Sequence, residues 1–259
     1  KWVEQKNQPT LSLVYLPHLD YGLQKYGPGA AEVEPELQRI DAVVGGLIEF
    51  FEQRDVEVVL LSEYGISKVD KAIHLNRVFR AKGWITIKEE LGTEILDCGA
   101  SKVVAVADHQ VAHIYINDQS LKDEVYQTLL EVDGVEEVRT RNESFGGSGK
   151  GHERSGDLIA VSEQNAWFTY YYWTDDSLAP DFARCVDIHR KPGYDPVELF
   201  LDPELAAPKL KIAKFLLKKK LGFRALLDVI PLDAALVKGS HGRDNVSEDE
   251  QPIFVTSKG

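Results

Sequence analysis

Two short apolar runs, residues 11–16 (LSLVYL) and 56–61 (VEVVLL), each lead straight into a polar turn that carries a carboxylate, and a helical pattern lies between them. Runs of this length and composition read as strands. Residues 34–54 place Leu37, Ile40, Val44, Leu47 and Phe51 at three- and four-residue spacings, the pattern of a helix with one buried face. Strand, crossover helix and second apolar strand make a βαβ unit, which predicts parallel pairing in a sheet covered on both faces. The expected fold class is therefore α/β, with a mostly parallel central sheet between helices. Ligands in such sheets gather at the carboxyl ends of the strands.

Three regions follow from the rest of the pattern. Residues 1–100 are expected to form the core half with the site loops. Residues 101–145 read as a small α/β subdomain, with strands at 103–107, 111–116 and 135–140 around a helix at 120–132. Residues 146–259 would hold an antiparallel hairpin (157–162 and 167–173), a basic helix (210–221), a Gly-rich turn at 239–242 and a strand at 252–256. In the basic helix, Leu210, Ala213, Leu217 and Leu221 align as a core face, which leaves the lysines solvated.

A chain of 259 residues with 43% hydrophobic and 28% charged residues can bury a sizeable core, and its net charge of −12 argues against a nucleic-acid coat. No apolar run approaches the ~20 residues needed to cross a bilayer. The expected partner is a small molecule, with neither nucleic acid nor membrane as a partner, and the expected location is cytoplasmic. Cys98 and Cys185 form no CxxC pair and read as buried thiols. The chain opens at Lys1-Trp2-Val3 without Met and contains none, so it reads as part of a longer polypeptide.

The first run leads into Pro17-His18-Leu19-Asp20, then Gly22, Gln24 and Lys25-Tyr26-Gly27-Pro28. A carboxylate just past a strand is aimed into the crevice, as a metal ligand must be, although a lone Asp there also serves as a turn former or helix cap. The second run ends in Ser62-Glu63-Tyr64-Gly65-Ile66. Near the end, glycines flank an imidazole in Gly239-Ser240-His241-Gly242, which lets backbone approach a bound ion closely; singly, this His equally suits a surface loop.

Together these segments resemble the alkaline phosphatase superfamily, in its type I phosphodiesterase/nucleotide pyrophosphatase branch. The branch has a Pro-Asp step followed by Gly-His and Gly-Pro, then Ser-Asp-His-Gly-Met, then Gly-x-His-Gly before a strand opening Pro-Ile-Phe, here Pro252-Ile253-Phe254. The likeness runs from about Leu11 to Thr256 and covers the later part of a family member. It implies an alkaline-phosphatase-like fold and a metal-dependent hydrolase of phosphodiester, pyrophosphate or phosphomonoester bonds. Two divalent ions, usually zinc, would flank the phosphoryl group, with a Thr or Ser nucleophile expected N-terminal to this chain. By position Asp20 and His241 would share one ion and Glu63 would serve the other.

Two departures bear on that site. Gln24 stands where the branch has a ligand His, and Glu63-Tyr64 replaces Asp-His. Amide and phenol are weak ligands. Either the ion is a harder one such as Mn²⁺ or Mg²⁺, or another histidine is recruited, His18 and His189 being candidates, or one position is empty. Alternatives of another class are a degenerate relative that binds a phosphorylated ligand without turnover, and a phosphomutase-like isomerase. Asp108-His109 and His113 lie in an alternating stretch. On a continuous strand the two imidazoles would be more than ~13 Å apart, so the pair reads as structural or cleft-lining. Residues 145–151 (FGGSGKG) lack phosphate-loop spacing and read as a flexible connection. Arg154 could face a substrate phosphate, or form a plain salt bridge.

Overall fold

A computed structural model describes residues 5–143, 151–187 and 189–256. In chain order the elements are α1 (His18–Tyr26), α2 (Glu34–Glu52), β1 (Val59–Leu61), β2 (Ser67–Lys68), β3 (Lys71–Ile73), α3 (Leu75–Ala81), β4 (Ile87–Glu90) and β5 (Thr93–Leu96). There follow β6 (Val103–Asp108), β7 (Val111–Ile116), α4 (Lys122–Leu130), β8 (Val135–Thr140), β9 (Leu158–Ser162), β10 (Ala166–Phe168), α5 (Pro208–Lys220), β11 (Gly239–Ser240) and β12 (Phe254–Thr256).

The alternation at residues 103–140 forms strands where its period places them. β6, β7, β9 and β8 pair in that order, all antiparallel, with α4 packed on β8. Strand β9 comes from beyond residue 145, and its five residues are buried, as a strand covered on both faces requires. The outer rim of β6 is closed by a side chain: Asn76 Nδ2 donates to the Ala105 carbonyl (2.8 Å) and the Ala105 amide donates to Asn76 Oδ1 (2.8 Å). Val103, Ala105, Ile114, Leu129, Leu158 and Phe79 are buried in the core around this sheet.

A second core is aromatic. Trp167, Tyr170, Tyr171, Tyr172 and Trp173 are almost fully buried, packed with Phe182, Val229 and Ile230. The expected hairpin of residues 157–162 with 167–173 does not form. After β9 the chain turns, and β10 pairs in parallel with β3 instead. Residues 169–173 follow as buried irregular chain, and such backbone must find partners. Side chains of α3 supply them: Asn76 donates to the Tyr170 carbonyl, Arg77 Nε to Trp173 (2.6 Å) and Arg80 to Tyr172.

Among the described residues the expected parallel βαβ unit does not form. Residues 11–16 form no strand; Leu11, Leu13 and Tyr15 are exposed, and among the described residues no strand pairs with the run. The second run shortens to β1, which pairs antiparallel with β12, and Val59, Leu61, Phe254 and Val255 stay about half exposed or more. Helix α2 forms as its periodicity predicts. Its burial is confined to Phe50 and Phe51 at the C-terminal end, while Leu37 is exposed. The leucine face of α5 is also open: Leu210, Leu217 and Leu221 are 70%, 57% and 63% exposed. Period marks an apolar face in each case, but only a neighbouring element can cover it. Cys98 is exposed, contrary to the expectation for both thiols, whereas Cys185 is buried. Residues 144–150, most of the FGGSGKG stretch, lie outside the described residues.

Candidate active site

Asp20 sits in the first turn of α1 rather than in a loop after a strand. There the unpaired amides at the helix start favour a carboxylate. One turn later, Gln24 Nε2 donates to Asp20 Oδ1 at 2.9 Å. The helix ends at Gly27 (φ +83°) and lies against β11, the strand that delivers His241. The Lys238 amide donates to the Gln24 carbonyl (2.8 Å), and a Cβ on Gly239 would fall 2.2 Å from the Leu23 carbonyl oxygen. Only glycine permits that approach. β11 pairs antiparallel with β2, just past Glu63-Tyr64, so backbone contacts bring all three segments together.

The side chains meet there. Tyr64 donates its hydroxyl to Asp20 Oδ1 (3.2 Å), and its ring stacks on His241 with centroids 3.5 Å apart and planes within 6°. His241 also touches the His109 ring (3.8 Å), which packs on Tyr194 (4.3 Å). Asp20, Gln24, Tyr64 and His241 are thus neighbours. Glu63 is exposed and lines, with Tyr64, His241, Arg243 and Glu250, a cleft of about 430 Å³.

His109, expected to be structural or cleft-lining, joins this group. The stretch is a hairpin rather than a continuous strand: β6 and β7 pair, and His109-Gln110 turn between them. His109 adopts φ +58°, a conformation rare for non-glycine residues and frequent at functional sites. The turn is fixed at the site, because the Gln110 amide donates to the His241 carbonyl (2.8 Å) and the Phe168 amide donates to that of His109 (2.7 Å). Two alternating strands separated by two residues were the available signal. His113 lies in β7, where its Nδ1 accepts from the Gly156 amide.

The other candidates lie elsewhere. His18 is exposed at the start of α1 and His189 is exposed in a turn. The Arg154 side chain is exposed, and Arg141 forms the ion pair with Asp157 before β9 (3.0 Å).

Burial sets the protonation of the group. It lowers His241 to about 4, against partial support from Asp20, and His109 to about 2, with repulsion from His241 adding to the effect. Both imidazoles are neutral near pH 7 and offer lone pairs. Burial and then the Asp20 charge raise the Tyr64 phenol well above its ordinary value and push Tyr194 up to about 12. Tyr64 therefore keeps its proton.

Among the described residues, no three His, Cys, Asp or Glu side chains come together to hold an ion. The two-ion arrangement implied by the resemblance fits one position and not the other. At the first, buried Gln24 Oε1 has no hydrogen-bond partner while its Nε2 holds Asp20, and with the neutral His241 imidazole of the same group these are donor types that suit a cation. At the second, Tyr64 is a protonated phenol committed to Asp20, and Glu63 is an exposed carboxylate at the cleft rim.

Helices on small sheets, with a site where α1, the loop after β1 and the loop after β11 converge, define the class. Residues 1–195 match the family described as type I phosphodiesterase / nucleotide pyrophosphatase, and the chain belongs to that family. A relative, an uncharacterized pyrophosphatase/phosphodiesterase of Schizosaccharomyces pombe, is 30% identical over 30% of this chain and 18% of its own length. The structure of human ectonucleotide pyrophosphatase / phosphodiesterase 5 superposes over 98% of this chain and 49% of its own, with TM-score 0.55 and 18% identity. The inactive murine counterpart in complex with AMP gives 0.54 and 17%, with the same coverages. The α/β, alkaline-phosphatase-like fold is therefore shared, and the chain spans about half the length of these structures.

Proposed function

We propose that the chain contributes one cation position and a substrate cleft to a metal-dependent phosphohydrolase that cleaves a phosphodiester, pyrophosphate or phosphomonoester bond in a small phosphorylated molecule. The observation that carries this reading is the convergence of Gln24 and Tyr64 on the Asp20 carboxylate, with His241 stacked on the Tyr64 ring. Asp20, His241 and Gln24 Oε1 would hold the ion: Zn²⁺ through its affinity for imidazole, or Mn²⁺ or Mg²⁺ through the oxygen donors. When bound, a divalent ion stabilises charge on a phosphoryl group in transfer. The chain's own residues orient and shield. Gln24 and Tyr64 fix Asp20 by donating to it, and the Tyr64 and His109 rings pack on His241, with Tyr194 behind His109. Glu63 would serve a second ion only alongside donors from outside this group. A Thr or Ser nucleophile from another segment belongs to the same proposal. AMP in the murine relative supports a nucleotide as the substrate class, and unpaired Cys98 and Cys185 are compatible with a cytoplasmic location.

Hydrolysis of bis(p-nitrophenyl) phosphate by the natural polypeptide should disappear on chelation and return with Zn²⁺ or Mn²⁺. A rate unchanged by chelation would sink the reading. A second reading, binding without turnover, is favoured by Gln24 and Tyr64 donating to Asp20 where the family has histidines. In that case the wild type is inert, and Gln24→His with Glu63→Asp and Tyr64→His creates activity. Product analysis separates either from a phosphomutase, which would transfer the group within one molecule.

A further inference from the structure

Helix α5 presents a second surface that the proposed site does not use. Its thirteen residues include Lys209, Lys211, Lys214, Lys218, Lys219 and Lys220 and no acid, in a chain of net charge −12. One face is attached to the protein: Ile212 packs against the aromatic core, and Lys211 pairs with Asp228 at 2.8 Å. The opposite face is open. At about 100° per residue, Leu210, Leu217 and Leu221 fall on one stripe, with Lys214 and Lys218 along one edge and Lys209 and Lys220 along the other. The three leucines are more than half exposed, and Phe223, just past the helix, is 65% exposed. A lone surface leucine is ordinary, but a continuous apolar stripe between two rows of lysines, on a helix anchored by its other side, is not.

We infer that α5 docks this chain on an anionic lipid surface, its leucine stripe seated at the headgroup boundary and its lysines reaching the phosphates. Charge complementarity selects this occupant. An acidic chain repels an anionic surface everywhere except at a patch of this kind, and lysine stems lie along apolar surface while their ammonium groups remain in water. The helix lies on the membrane and does not cross it, since no described helix is long and apolar enough to do so.

Vesicle flotation tests the inference directly. The natural polypeptide should float with vesicles containing phosphatidylserine and remain behind with pure phosphatidylcholine, and raising the salt should weaken the association. Each lysine near an anionic surface contributes about a fivefold change in partitioning. Lys214→Gln with Lys218→Gln and Lys220→Gln should therefore lower it roughly a hundredfold. Leu217→Ser with Leu221→Ser should abolish flotation while circular dichroism stays that of the folded protein. Folded wild type that ignores anionic vesicles, or flotation unchanged in the triple lysine variant, would overturn the inference. So would a dimer in sedimentation velocity that the leucine substitutions dissolve, since a second copy would then be the occupant.

Discussion

The Tyr64 hydroxyl decides how Asp20 is used. As a protonated phenol it donates to the carboxylate and thereby competes with any cation for the same oxygen. Tyr64→Phe should keep the stack on His241 and lose one hydrogen bond, at a cost of about 1 kcal/mol in stability. Calorimetric titration should show Mn²⁺ or Zn²⁺ binding more tightly to this variant than to wild type, and Asp20→Ala should remove the binding. The imidazoles give a pH signature. His241 and His74 are each lowered from 6.5 to about 4 by burial, and His109 further, so between those values the unfolded chain binds more protons than the folded one. Stability is complete above pH 6.5 and falls as the pH drops toward 4; midpoint urea concentrations measured across that range should decline steadily. At this scale the segments around Asp20 and His241 stood out as contiguous motifs, and Tyr64 joins them in space. For His109 the sequence left a structural or a cleft-lining role, because a histidine in an alternating stretch looks the same whether the strand continues or reverses.

Glycine contacts hold the site-bearing elements together. Gly239 lies against the Leu23 carbonyl, so Gly239→Ala must push β11 away from α1. A loss of about 2 kcal/mol is expected from such backbone displacement, with loss of cation binding in calorimetry. Asn76→Ala should cost about 3 kcal/mol in denaturant unfolding, because it leaves the Ala105 amide and carbonyl buried and unpaired. Strands β6, β7 and β8 were legible because each is a six-residue run rich in β-branched residues, and each strand has neighbours. Residues 11–16 and 167–173 carry equally strong strand composition. Among the described residues no strand pairs with the first run, and the backbone of the second is served by Asn76, Arg77 and Arg80, a tertiary arrangement that local pattern does not encode.

Across the molecule, order is unequal. The four-stranded sheet and the aromatic core are buried, whereas β1 and β12 form an isolated ribbon with exposed side chains. Native-state hydrogen exchange should show β7 and β9 amides opening only with global unfolding and β1 and β12 amides exchanging far faster. Comparable protection in the two regions would contradict this division. The four-stranded sheet is also finished on both sides. Along β6 the Asn76 amide holds the backbone groups of Ala105 that an incoming strand would need, and along β8 the charges of Glu136, Glu137 and Arg139, paired with Arg243 and Asp244, make an unwelcoming border. Edge-to-edge recruitment of another copy is blocked there, so any self-association must start from a different part of the surface.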